Sequence, residues 1–310
     1  MSPWKTPPAG TPRPHAGTIE TAAEALTGRT LTVITGAGVS TDSGLPDYRS
    51  PGAPARHPVT FDQFTSDQRY RTYYWARNYV GWRHSVTRTP NESHRQIARL
   101  ERAGVALGVV TQNVDLLHEQ AGATRVVDLH GRWDTVRCRR CGAVFTRDEL
   151  EHRLDSLNPG FEERVGAVGN VEIAPDADAV LTTTEGFHVR ACWAPTPDGI
   201  TRHDAGFARP GECGGMLKPD IVFFGEVVPK RRSEAAARLV DESEGLLVVG
   251  TSLAVHSALR LVRRGVSAGK PLVVVSRGST RGDDLASVTI EGGAAPVLRG
   301  LVPLLIERFA

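Results

Sequence analysis

The stretch Val33-Ile34-Thr35-Gly36-Ala37-Gly38-Val39-Ser40-Thr41-Asp42-Ser43-Gly44-Leu45-Pro46-Asp47-Tyr48-Arg49 joins a run of β-branched residues to a glycine turn, and its reading decides the fold. A buried strand running into Gly36-Ala37-Gly38 and then Ser40 offers backbone N–H groups and a helix N-terminus to a pyrophosphate. The common dinucleotide fingerprint places a third glycine three residues after the second. Here Val39, Ser40 and Thr41 follow Gly38, and the next glycine is Gly44. Phosphate binding is therefore expected, while a plain hydride-transferring dehydrogenase is disfavoured.

Working outward, apolar runs at Leu31 to Thr35, Val105 to Thr111, Arg125 to Leu129, Ile221 to Phe224, Gly245 to Val249 and Pro271 to Val275 read as buried strands. Helical patterns lie before, between and after them at Thr18 to Leu26, His94 to Arg102, Val114 to Gln120, Lys230 to Val240, Leu253 to Arg264 and Pro296 to Glu307. That alternation predicts an α/β chain with a Rossmann-like parallel sheet covered on both faces. Two segments break it: Pro54 to Thr89, which carries most of the tyrosines, and Trp133 to Gly215, which holds all four cysteines. The expected organisation is a flexible tail at 1–17 and a discontinuous sheet domain at 18–53, 90–132 and 216–310. A smaller domain combines a helical part at 54–89 with a cysteine module at 133–215, and a cleft is expected where the strand ends meet it.

Bulk properties restrict the choice of partners. A length of 310 residues with 40% hydrophobic content suits one large core plus a smaller module. A formal charge of +2, with no basic block interleaved with aromatics, argues against a nucleic-acid partner. No apolar run approaches the roughly 18 residues of a membrane span, and no apolar secretory core stands at the N-terminus, so a cytoplasmic protein is expected. The oligomeric state is left open.

Further motifs follow in order: Thr111-Gln112-Asn113-Val114-Asp115-Leu116-Leu117-His118, Leu129-His130-Gly131, Cys138-Arg139-Arg140-Cys141, Lys218-Pro219-Asp220-Ile221-Val222-Phe223-Phe224-Gly225-Glu226 and Gly250-Thr251-Ser252-Leu253. With the glycine turn, they make the chain resemble the sirtuin family of NAD-dependent protein deacylases from about Thr30 to the C-terminus. Tyr74-Trp75-Ala76-Arg77-Asn78 and Thr280-Arg281-Gly282-Asp283-Asp284-Leu285-Ala286 are similar to the class II branch.

The resemblance implies that NAD is the co-substrate and that an acyl group passes from lysine to ADP-ribose with release of nicotinamide. The acyl oxygen attacks the ribose to give an alkylimidate, and His130 then activates a ribose hydroxyl. Placed after a predicted strand end, and with an ordinary pKa near 6.5, His130 is suited to act as a base. Its alternative reading is a core histidine bonded to backbone. By resemblance Asn113 positions the nicotinamide ribose and a water, Asp115 holds the nicotinamide amide, and Gln112 contacts the ribose. The remaining NAD contacts implied are Gly36, Ala37, Gly38, Ser40, Asp47, Tyr48, Arg49, Gly250, Thr251, Ser252, Ser276, Arg277, Gly278 and Ala294. Tyr48 replaces the family's usual phenylalanine, and Ser276 its usual asparagine. Ser252 suits a helix N-cap equally well.

Cys138 and Cys141 have the spacing by which two thiolates reach one ion from a tight turn. The resemblance makes Cys192 and Cys213 the third and fourth ligands of a closed, structural Zn²⁺ site, with 194–212 as an insertion inside the knuckle. The alternative is four free or disulfide-paired cysteines. Acyl-lysine peptides are the implied partners, added as a strand along Val222, Phe223, Phe224, Gly225, Glu226 and Val227. Tyr74 and Arg77, on one face of a predicted helix, read either as a reader of carboxylate-bearing acyl groups or as packing residues. Two competing functions remain: protein mono-ADP-ribosyl transfer and a non-enzymatic NAD-sensing module. Retention of a base counts against the second.

Overall fold

The computed structural model describes residues 13–47, 58–166, 171–174, 178–203 and 205–309. The chain divides into two compact units, one of residues 1–55, 88–130 and 228–310, the other of residues 56–87 and 131–227.

The first unit is built on a six-stranded sheet in the order β3-β2-β1-β7-β8-β9. Its members are β1 (Leu31–Thr35), β2 (Ala106–Thr111), β3 (Val126–Asp128), β7 (Gly245–Val249), β8 (Leu272–Ser276) and β9 (Val288–Glu291). Every pairing is parallel. All residues of β1, β7 and β8 are buried, as expected of strands covered on both faces. Alternate side chains separate into two cores. Val33, Leu247, Val249, Val273 and Val275 pack with the helices Ile19–Leu26, Glu92–Arg102 and Ala294–Glu307. Ile34, Leu246, Val248, Leu272 and Val274 pack with Lys230–Glu242 and His256–Ser267. The chain moves outward from β1 to β2 and β3, then resumes on the other side of β1 with β7. The strand order thus reverses between β1 and β7, where ligands of open α/β sheets bind at the carboxyl ends.

The second unit contains the antiparallel sheet β5-β4-β6, formed by β4 (Gly131–Cys138), β5 (Val144–Thr146) and β6 (Leu217–Ile221). The helices Phe61–Ser66 and Gln68–Ser85 bring Phe64, Tyr74 and Trp75 into its aromatic core with Phe223.

Three expectations need correction. The apolar segment at Ile221 to Phe224 is not a strand of the parallel sheet. The neighbouring strand β6 instead pairs antiparallel with β4, Leu217 opposite Cys138, and 216–227 belongs to the second unit. Pro219 lacks a ladder donor and suits this edge position, not a central strand. The sixth parallel strand is β9. Finally, residues 13–17 are not part of a loose tail. Gly17 N–H donates to Thr289 O at 2.9 Å and Thr289 N–H to His15 O at 2.8 Å, so this arm lies beside β9.

Candidate active site

Two turns meet at the carboxyl ends of β1 and β7. Gly38 N–H donates to Gly250 O at 2.8 Å. A Cβ on Gly38 would stand 2.8 Å from that same oxygen, and one on Gly36 would stand 2.7 Å from Thr251 Cβ. These glycines are thus required first by the contact between the turns. Gln112 extends the lattice, its amide donating to Thr35 O at 3.0 Å and Thr251 Oγ1 at 2.9 Å.

Beside the turns lies a buried polar chain. Ser40 Oγ donates to Asp115 Oδ2 at 2.6 Å and accepts from Asn113 Nδ2 at 2.9 Å. Leu117 N–H donates to the other oxygen of Asp115 at 3.0 Å. Burial raises the Asp115 carboxyl above its ordinary pKa, opposed first by the Ser40 hydrogen bond. His94 completes the chain. Its Nδ1 accepts from Asn91 N–H at 3.3 Å, which leaves the ring proton on Nε2, 3.3 Å from Ser40 Oγ. His118 stacks edge-on against His94 with ring centres 4.9 Å apart, and its Nε2 is 2.9 Å from Thr35 Oγ1. Burial lowers His94 to about 4 and pushes His118 well below the usual histidine range. Both rings are therefore neutral at pH 7.

His130 follows β3 and is half-buried. Its Nε2 is 2.7 Å from Ser257 Oγ, and the Gln112 backbone hydrogen-bonds the ring. Burial lowers its pKa to about 4, partly opposed by that backbone bond. A neutral imidazole held from both sides can take up a proton.

At the end of β8, Ser276 is buried and its carbonyl accepts from Gly292 N–H at 3.1 Å. Gly278 N–H donates to Glu291 Oε1 at 2.7 Å. Arg277 lies beside Gly293, and Ala294 begins the last helix. Asp47 is half-buried, while Tyr48 and Arg49 lie outside the described residues.

In the second unit the ligand atoms of Cys138, Cys141, Cys192 and Cys213 all lie within 4.8 Å of one another. Cys138 Sγ is 3.9 Å from Cys213 Sγ, and Cys141 Sγ is 3.7 Å from Cys192 Sγ. A tetrahedral site with Zn–S bonds of about 2.3 Å spaces its sulfurs by about 3.8 Å. The four cysteines are thus positioned to bind a structural zinc, with no protein-free position for a catalytic water. The insertion does not disturb this arrangement. Cys213 N–H donates to Ala194 O at 2.7 Å, and Pro195 bridges Glu212, so its ends are paired beside the third and fourth thiols. The Arg190 guanidinium holds both Glu212 oxygens at 2.7 and 2.6 Å.

Comparison with known proteins agrees with this geometry. The Sir2 family profile matches residues 36–257. NAD-dependent protein deacetylase 1 of Mycobacterium avium is 50% identical over 273 residues, covering 88% of this chain and 90% of that protein. The chain belongs to the Sir2 family. NAD-dependent protein deacetylase 1 of Streptomyces coelicolor is 42% identical over 297 residues, 94% of this chain and 91% of that one. A solved structure of Sir2 with a p53 peptide and NAD⁺ superposes with a TM-score of 0.67 at 25% identity, over 93% of this chain and 98% of that chain.

Within this Sir2 chain the remaining candidates lie in the second unit. Tyr74 is buried, its ring 5.1 Å from Phe223 and 5.3 Å from Phe64. Arg77 is also buried. Its Nε donates to Ala179 O at 2.9 Å, and its guanidinium lies 3.8 Å from Asp178 and over the Tyr73 ring. Phe224 O accepts from Phe61 N–H at 2.9 Å. Phe224, Gly225 and Val227 are exposed and Val222 half-buried. Glu226 turns inward, accepting from Phe223 N–H at 2.9 Å and pairing with Lys218 at 2.9 Å.

Sequence reasoning did not assign Asn91, His94, His118 or Ser257 to the site. Asn91 and His94 carried a signal, since a cap residue followed three positions later by a polar side chain makes a capping box.

Proposed function

We infer that this chain is an NAD-dependent protein-lysine deacylase, transferring the acyl group to ADP-ribose with release of nicotinamide. The observation that carries the reading is the clustering of Ser40, Asn113, Asp115 and His130 at the carboxyl edge of β1 to β3, beside the point where strand order reverses. Asp115 and Asn113 orient the nicotinamide and its ribose. Their shared anchor, Ser40, removes rotational freedom before the substrate arrives. His130 acts as base on a ribose hydroxyl, and Ser257 with the Gln112 backbone holds the ring in position. Burial keeps it in the unprotonated form that a base requires. The structural zinc supplies folding energy to the second unit and takes no part in bond making.

The peptide adds as a strand along Phe224 to Val227, where main-chain bonds supply affinity with little sequence preference. For the acyl group we propose a neutral chain, because the Arg77 charge is already engaged by Asp178. Within the family we assign the chain to the class II branch. No helix among the described residues is long and apolar enough to cross a membrane. Because the four cysteines are gathered as metal ligands and not joined in disulfides, a reducing cytoplasm is the proposed compartment.

Product masses from NAD and a panel of acyl-lysine peptides test the reading. Free nicotinamide and acyl-ADP-ribose are expected. ADP-ribose attached to the peptide would identify the chain as a transferase of that group, and intact NAD with every peptide would leave only a binding module.

A further inference from the structure

The Thr280 to Ala286 motif is not used by the mechanism, yet it is tied on one side to the nucleotide turns and on the other to the N-terminal arm. Asp283 is the junction. Its Oδ1 accepts from Thr280 Oγ1 at 2.6 Å and Arg13 Nη2 at 2.8 Å, and its Oδ2 accepts from Thr280 N–H at 3.0 Å and Arg13 Nε at 3.0 Å. The two charged side chains are 4% and 6% exposed, so the pair is desolvated and bidentate.

From the arm, Arg13 Nη1 donates to Ser276 O at 3.2 Å and Ile290 O at 3.1 Å, capping the ends of β8 and β9. The same nitrogen lies 3.5 Å from Glu291 Oε2, whose other oxygen takes the Gly278 N–H. On the opposite side, Arg281 N–H donates to Ser252 O at 3.0 Å and its Nη1 to Ala254 O at 3.0 Å. Gly282 packs so closely on Leu253 that a Cβ would stand 2.6 Å from its Cδ1. One guanidinium–carboxylate pair therefore holds the Ser276 backbone directly and connects to Gly278 through Glu291 and to Ser252 through the Thr280–Arg281 loop.

We infer that Arg13, through Asp283, is a positioning residue for the adenosine diphosphate half of NAD, which makes the N-terminal arm a working part of the nucleotide site. The inference rests on the reading that NAD occupies the carboxyl ends of β7 and β8. Loss of the guanidinium strands a buried carboxylate, and the Thr280 loop must move to hydrate it, taking Ser252 with it. Ser40, Asn113 and Asp115 bond one another, and the Gln112 backbone holds the His130 ring independently of Ser257, so the chemical step is spared.

The test uses the full chain with Arg13→Met, Arg13→Lys and Asp283→Asn. Calorimetric titration with NAD and with ADP-ribose is combined with steady-state kinetics and nicotinamide inhibition. Arg13→Met should weaken NAD and ADP-ribose equally, by roughly tenfold, since small displacements of positioning groups cost this much or more. KM for NAD should rise by the same factor, while kcat and nicotinamide inhibition stay within about twofold. Asp283→Asn should reproduce the shift, and Arg13→Lys should recover part of it. A folded Arg13→Met protein with unchanged NAD affinity, or one that loses kcat at unchanged KM, overturns the inference. If that variant does not fold, Arg13→Lys and Asp283→Asn decide: weaker NAD binding supports the inference, and unchanged binding refutes it. Failure of the unaltered chain to bind NAD would instead refute the nucleotide-site reading, and this inference with it.

Discussion

The parallel-sheet unit and the cysteine-bearing unit achieve order by different means. In the first, five-residue strands such as β1, β7 and β8 are buried along their whole length between aliphatic helices. Apart from isolated threonines such as Thr32, which bonds Leu239 O and Ser243 Oγ, the buried polar network gathers where the strands end. In the second, the strand β5 spans three residues, and order comes from four thiols, an aromatic cluster and buried arginines such as Arg77, Arg147 and Arg190. Hydrophobic burial of a large sheet leaves its rim available for chemistry. A small module with little sheet must spend its polar residues on holding itself together.

That contrast can be broken most severely through the cysteines. Structural zinc contributes about 10–16 kcal/mol in small zinc domains, so chelation or Cys192→Ser should unfold the second unit. Hydrogen exchange should rise through 131–227, while β1, β7 and β8 remain protected. A zinc-free protein with unaltered exchange in that segment would contradict the assignment. Next in size is His130→Ala, expected to lower acyl transfer by roughly 10²- to 10⁴-fold at nearly unchanged NAD affinity. Near-normal turnover would remove the histidine from its role.

Arg77→Met sharpens the same contrast. Removing one partner of a buried pair costs about 3–5 kcal/mol, so thermal stability should fall while the ratio of acetyl to succinyl turnover stays constant. A specific loss of acidic substrates with unchanged melting would make Arg77 a reader of the acyl group.

The smallest expected effect is on pH dependence. Folded His94 titrates near 4, and His118 is also depressed by burial. Both lie below the ordinary value of about 6.5, so between 4 and 6.5 the folded unit binds fewer protons than the unfolded chain. The stability contributed by these rings is full above about pH 6.5 and is lost as pH falls toward 4. Asp115, raised by burial, gains protons on folding and offsets part of that loss. Denaturant titrations across this range should show the decline, and His94→Gln should flatten it.

What could be read in advance follows the same division. Continuous β-branched runs identified most of the parallel sheet, because buried strands need no alternation. The edge strand β9 escaped notice because in Val288–Glu291 the apolar Val288 and Ile290 alternate with Thr289 and Glu291 and make no continuous apolar run. The apolar run Ile221 to Phe224 suggested a central strand, but the pairing of β6 depends on its distant partner β4. The candidates Asn113, Asp115 and His130 were singled out by their order along the chain. His94 was not, because its capping box with Asn91 marks a helix start and says nothing of the ring's place beside Ser40. Arg13 was invisible, as its partner lies 270 positions away.

The central claim is that the nucleotide binds where strand order reverses, between β1 and β7. Hydrogen exchange with and without NAD tests it most directly. The account predicts new protection at 36–40, 112–118, 250–254 and 276–278, with residues 138–142 and 192–215 unchanged. Protection confined to the cysteine segments, or absent from the β1 and β7 turns at saturating NAD, would contradict it.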